Sequence, residues 1–340
     1  MTPSKNKAWL DKVVEETLDP ALEICDPHHH LWEFRHDRVA PKYLLEEILS
    51  DLNAGHNIVS TVFIECAAMY RSNGPEHMKC VGETEFVNGI AAMSASGLYG
   101  NCRIAAAIVG TANLNIGNAV GEVLDAHVQA GGGRFRGIRC QGQWDADTSI
   151  RSAKDAIGPD RFAMPDFREG FAELAPRNMT FEAWCYHQQI KEVTDLARAF
   201  PDTTIILNHF GGPLGVGSYK GKADEIFPVW QKDVAELATC QNVVAKLGGI
   251  NMDINGFGWE DHDEPPTSEM LMQGTRRWYE HTIEHFGTQR CMFESNFPVD
   301  MTSCSYNTLW NSFKRLTKDY SDDEKRQLFH DTAAHTYRID

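Results

Sequence analysis

Short β-branched or apolar runs alternate with longer segments of helical periodicity eight times along this chain of 340 residues. The candidate strands are residues 22–26, 58–66, 103–110, 134–141, 180–186, 203–209, 242–247 and 290–296. Between them lie amphipathic segments such as residues 43–52, 167–174, 189–200, 226–237 and 276–286. In 189–200, Ile190, Val193, Leu196 and Ala197 recur at the spacing of one helical face. Strand–helix alternation of this regularity predicts parallel strands joined by crossover helices. Eight units with no Pro/Gly/Ser-rich linker predict a single α/β domain, a closed (β/α)8 TIM barrel over residues 22–340. Residues 1–21 place Trp9, Val13, Val14 and Leu18 between Lys and Glu, and predict a helical extension without a signal-peptide core. A closing helix is expected over residues 322–337, apolar at Leu328, Phe329, Ala333 and Tyr337.

Two irregular stretches interrupt the alternation, residues 141–164 after the fourth strand and 248–267 after the seventh. Loops that follow strand C-termini overhang the catalytic face of a barrel. The second holds Phe257 and Trp259, and is read as a lid-like loop over a substrate.

Functional side chains of a barrel sit at strand C-terminal ends and point inward, which shortens the list of 14 histidines. His28 and His30 are two apart, so both face one way and His29 the other. Two inward imidazoles can share a metal ion or polarise one carbonyl. His209 ends the sixth strand in Asn208-His209-Phe210-Gly211-Gly212, where a tight turn follows a buried run. His187 ends the fifth strand or begins the turn after it, and Tyr186 becomes the inward hydrogen-bond donor if the strand is phased the other way.

Arg139 shares a strand face with Phe135, Gly137 and Gln141 and suits a carboxylate or a developing oxyanion. Lys246, near the end of the seventh strand, can serve similarly, with a structural ion pair as the competing reading for both cations. Glu65 and Glu182 are candidate partners that would orient rather than catalyse. On the eighth strand Glu294 and Asn296 share a face, with Glu294 one layer deeper. Aromatic residues near the mouth, including Trp32, Tyr186, Phe257, Trp259 and Phe297, suit a ring-shaped substrate.

Charge then narrows the partners. A formal net charge of -16 argues against nucleic acid or an anionic membrane surface, so an anionic substrate must be held by local cations. No apolar run reaches the ~18 residues that a membrane span requires. Nine scattered cysteines without a Cys-x-x-Cys pair read as reduced buried thiols, which fits a cytoplasmic location. The expected partner is a small-molecule substrate, and enzymes of this size often form homo-oligomers.

Asp-x-His-x-His-x-Trp (Asp26, His28, His30, Trp32) resembles the amidohydrolase-2 group of the metal-dependent hydrolase superfamily. So do Arg136-Gly137-Ile138-Arg139, Asn208-His209-Phe210-Gly211-Gly212-Pro213 and Ser295-Asn296-Phe297-Pro298, in a likeness running from about Leu22 to Tyr337. Within the group the chain is similar to sugar lactonases and 2-pyrone-4,6-dicarboxylate lactonase, which open cyclic esters. The resemblance implies that His28, His30 and His209 polarise a carbonyl or bind a metal that does so, while Arg139 holds a carboxylate or oxyanion. Asn296 stands where the family has a water-activating aspartate, which leaves Glu294, Asp300 and His209 as bases, Glu294 foremost. A neutral amide there weakens a divalent site, so the expected cofactor is none or one weakly held zinc or manganese ion. Two other functions remain open: a metal-dependent decarboxylase or hydratase, and a binding protein disabled by Asn296.

Overall fold

The computed structural model describes residues 3–153 and 158–339. Part of the 141–164 loop and the chain ends of the expected extension and barrel domain therefore lie outside the described residues. Eight parallel strands follow one another in sheet order: β1 (Glu23–His29), β2 (Asn57–Ile64), β3 (Arg103–Gly110), β4 (Phe135–Gln141), β5 (Thr180–Trp184), β6 (Ile205–Leu207), β7 (Val243–Leu247) and β8 (Cys291–Phe293). A helix follows each strand, from Leu45–Leu52 after β1 to Tyr306–Leu316 after β8. This is the single-domain (β/α)8 barrel that the alternation predicts.

The barrel closes beyond the end of β8. His29 pairs in parallel with Phe297, His30 N–H donates to the Phe297 carbonyl (2.8 Å), and Asn296 N–H donates to the His28 carbonyl (2.9 Å). Asp26 strengthens this seam from the outer face. Its carboxylate accepts from Ser295 N–H (3.0 Å) and from the Tyr306 hydroxyl (2.9 Å). Burial pushes the Asp26 carboxyl up to about 6, against the pull of those donors. A register irregularity between Asp26 and His29 re-phases β1, so that His28 faces the interior with Cys25. His29 faces out, beside Thr61 (2.9 Å) and Phe63.

Three apolar clusters result. One lies between strands and helices, a smaller one fills the barrel with Cys25, Val62, Ala107, Ile206, Met292 and Tyr337, and a third joins Ile150, Trp184, Tyr186 and Leu214. Tyr337 comes from the C-terminal helical run, which is α-helical at Asp322–Arg326, π-helical at Gln327–Asp331 and α-helical at Thr332–Tyr337. Its carbonyl accepts from Arg136 Nε (2.6 Å) near the start of β4. The N-terminal helix is shorter than the 1–21 segment suggests, spanning Pro3–Leu10. The chain after it straps across the barrel, with Glu15 accepting from Ser268 N–H (2.7 Å) and Asn311 Nδ2 (3.0 Å).

β6 and β8 stop short of the periodic runs that announce them. His209, Phe210 and Asn296 take left-handed backbone (φ 51, 58 and 55), which ends extended pairing and turns their side chains.

Lys246 lies inside the barrel, fully buried, and Glu182 accepts from it through both oxygens (2.9 and 2.8 Å). Asn208 Nδ2 (2.8 Å) and the Tyr337 hydroxyl complete the shell of Glu182. Burial lowers the Lys246 pKa from its ordinary value while Glu182 opposes the shift. Lys246→Met strands the Glu182 charge and is expected to destabilise the fold by about 3–5 kcal/mol in urea unfolding. Adding Glu182→Leu is expected to recover more than half of that loss, and no recovery would show that the pair is not the cause.

Candidate active site

The strand C-termini surround a cavity of about 360 Å³. Its floor carries His30, Arg139, His209 and Asn296, and its walls come from the loops after β1, β4 and β7. The loop after β7 contributes Met252, Asp253 and Ile254. That loop is pinned: Gly215 N–H donates to the Ile254 carbonyl (2.9 Å), Asn255 Nδ2 to Pro213 (2.7 Å) and Trp9 Nε1 to His262 (2.9 Å).

Glu294 is the hub of the floor. It is fully buried, with Oε1 2.6 Å from His209 Nδ1 and Oε2 2.6 Å from His28 Nδ1. The His209 contact is a well-formed hydrogen bond, whereas Oε2 has no aligned donor despite its closeness to His28. Two glycines make the arrangement possible. A Cβ at Gly248 would lie 2.4 Å from Glu294 Cγ, and one at Gly249 (φ +68) would lie 2.2 Å from His209 Nδ1.

Fixed partners assign the tautomers of His209 and His30. Glu294 accepts from His209, so the proton sits on Nδ1 and Nε2 keeps a lone pair. Likewise His30 Nδ1 donates to the Ile64 carbonyl (2.8 Å), leaving its Nε2 as an acceptor. Donors meet both nitrogens of His28, Arg139 Nη1 at Nε2 (3.2 Å) and Lys246 Nζ at Nδ1 (3.5 Å), so its contacts assign no single tautomer. Burial holds the His28 and His30 pKa values well below the ordinary value, helped by Lys246 beside the first and Arg139 beside the second.

Arg139 is anchored by Glu65, with Nε donating to Oε1 (2.8 Å) and Nη2 to the Glu65 carbonyl. Burial opposes its charge, but Glu65 more than offsets this and raises its pKa. Gln141 Nε2 donates to the same Glu65 oxygen (3.0 Å). Asn296 donates through Nδ2 to Asp300 (2.8 Å), whose other oxygen is buried without a partner and whose pKa burial drives well above the ordinary value. An aspartate at position 296 would face that carboxyl at hydrogen-bonding distance.

The structure brings His28, His30, His209, Glu294, Asn296 and Arg139 together, and Trp32 and Tyr186 join them on the cavity wall. The Tyr186 hydroxyl is already committed to the Arg151 carbonyl. Three other sequence candidates lie off the cavity. Lys246 is enclosed with Glu182, His187 packs on Tyr219 and accepts from Leu214 N–H (3.4 Å), and Trp259 donates to Asn251 (3.2 Å) while stacking on Phe257. Sequence reasoning misses Arg35, Arg38 and Arg151, which line the cavity mouth. The signal was their position in loops that follow β1 and β4.

The chain belongs to the amidohydrolase family, whose model matches residues 25–339. It is 33% identical over 337 residues to the uncharacterised protein y4mH of Sinorhizobium fredii, covering 94% of this chain and 99% of the relative. It is 25% identical over 209 residues to L-fucono-1,5-lactonase of Burkholderia multivorans, covering 61% and 64%. An amidohydrolase from Burkholderia multivorans, solved with bound zinc, superposes with a TM-score of 0.71 at 22% identity, covering 93% of this chain and 99% of that one. The protein is thus an enzyme of the hydrolase superfamily to which these relatives belong, and no helix among the described residues is long and apolar enough to cross a membrane.

The zinc bound in that solved structure raises the question of donors here. Ligand atoms of His28, His209 and Glu294 lie within 4.8 Å of one another, and His30 is outside the group. As placed, this set does not fit a divalent ion. His209 spends its Nδ1 proton on Glu294 and cationic donors meet both nitrogens of His28, whereas a metal needs bare lone pairs. No catalytic step is routed through a metal.

Gly249→Ala is expected to displace the His209 ring and break its bond to Glu294. The downfield imidazole N–H resonance of that bond should then disappear from the proton NMR spectrum while the far-ultraviolet circular dichroism is kept. An unchanged resonance would contradict the close-approach role given to Gly249.

Proposed function

We propose that the protein hydrolyses a cyclic ester, with the His209–Glu294 pair activating water and Arg139 stabilising the oxyanion. The observation that carries this is the 2.6 Å bond from His209 Nδ1 to a fully buried carboxylate, with the same imidazole on the cavity wall. A buried carboxylate behind Nδ1 fixes the ring and stabilises the imidazolium that forms when Nε2 takes a proton. Glu294 acts behind His209 rather than on water, since it is sealed from the cavity.

The reaction balances without a further reactant. His209 Nε2 accepts a proton as water oxygen adds to the lactone carbonyl carbon. The tetrahedral oxyanion collapses, the acyl carbon–oxygen bond breaks, and the departing ring oxygen takes the proton back from His209. The product is a hydroxy acid. Arg139 has five N–H groups, and Nε, one on Nη2 and one on Nη1 are committed to Glu65 and His28. Those that remain can meet the oxyanion. The bare Nε2 of His30 cannot donate to a carbonyl, so its part is to accept from the attacking water. Carbonyl polarisation therefore passes from the imidazoles, where the sequence suggests it, to the guanidinium.

A panel of sugar and aryl lactones, followed by acid release in a pH-stat, tests this. His209→Ala, and His28→Ala with His30→Ala, should lower kcat by about 100-fold or more while the barrel stays folded. Retained hydrolysis in either variant would overturn the reading. Exhaustive chelation should leave turnover within about twofold, and a loss restored by zinc or manganese would overturn the metal-free reading of these donors.

A further inference from the structure

Three arginines ring the mouth of the cavity, away from the reacting groups. Arg35 and Arg38 come from the loop after β1, and Arg151 from the loop after β4. With Arg139 on the floor, four guanidiniums line a cavity that has one carboxylate, Asp253, among its lining residues. This concentration of positive charge belongs to a chain of formal net charge -16. Inside a concave, partly apolar wall such a cluster focuses the field on a small anion, whatever the sign of the protein as a whole.

Arg139 is not the group to bind a substrate acid. Glu65 neutralises it at 2.8 Å, and the hydrolase reading reserves its remaining donors for the oxyanion. The mouth arginines are differently placed. Arg35 donates through Nη2 to the Cys66 carbonyl, which fixes its direction without neutralising it. Arg38 Nε is buried without a hydrogen-bond partner, and the exposed Asp37 carboxylate is 3.7 Å away, beyond hydrogen-bonding reach. Arg38 also feels Arg151: burial first, then that neighbouring cation, lower its pKa, while Asp37 and Asp253 oppose the shift. Converging cations of this kind are stabilised by an anion that accepts from their planar forks.

We propose that Arg35, Arg38 and Arg151 form a carboxylate subsite, so that the cyclic ester opened here carries an acid group and its product is a dicarboxylate. This specificity rests on the hydrolase reading above, but the subsite itself can be tested without turnover. Isothermal titration with glutarate should show binding that weakens as ionic strength rises, while the neutral glutaramide should bind at least about tenfold more weakly. Arg38→Gln and Arg151→Gln should each weaken glutarate by about tenfold or more. In kinetics, the ratio of kcat/KM for an acid-bearing lactone over a neutral one should fall by about tenfold in Arg38→Gln, chiefly through KM. Glutarate that fails to bind, or that binds both variants as tightly as the parent, overturns the subsite. Inorganic phosphate binding more tightly than glutarate overturns the carboxylate assignment. Glutarate binding that behaves as expected, beside no turnover of any lactone, upholds the subsite and removes the hydrolase reading instead.

Discussion

A single buried carboxylate organises the reaction centre. Glu294 touches two imidazoles at 2.6 Å, and it does so from just past the last strand of the barrel toward residues of the first strand and of the turn after the sixth. Its position sets the His209 tautomer. The two glycines after β7 exist around this constraint, because any side chain there would occupy the space of Glu294 or His209. Left-handed backbone at His209 and Asn296 belongs to the same geometry, since each turns its side chain into the cavity floor at the point where its strand ends.

Below and beside Glu294 the barrel buries two further charge pairs, Glu182 with Lys246 and Glu65 with Arg139. Each acid is given several donors, so desolvation is offset by local hydrogen bonds as well as by the opposite charge. The two pairs serve different ends. Lys246 and Glu182 are tied to Tyr337 and hold the interior against the C-terminal run. Glu65 leaves part of the Arg139 guanidinium on the cavity, where it can meet developing charge.

Periodicity alone reveals the eight strands and their order, because a parallel strand buried on both faces writes a continuous apolar run between helical repeats. The β1 motif was also legible: His28 and His30 face one way and His29 the other, as a period of two requires. Strand ends at β6 and β8 were not, because His209 and Asn296 are held by Glu294 and by the His28 carbonyl, far away in the chain, rather than by local propensity. Lys246 reads from the sequence as a cation near a strand end, but its partner is 64 residues away and its burial comes from the closing helix. Asn296 reads as a lost acid, yet its amide serves a buried Asp300 that no alternation pattern discloses. The mouth arginines sit in aperiodic loops, where pattern carries no information about direction.

The central claim, that Glu294 activates the site through His209, is tested most directly by the steady-state kinetics of Glu294→Gln on a turned-over lactone. Glutamine keeps the size and can still accept the His209 N–H, but it cannot stabilise the imidazolium by charge. The account predicts kcat lower by about 100-fold or more, with KM changed by less than about threefold. A kcat within about threefold of the parent enzyme would contradict it.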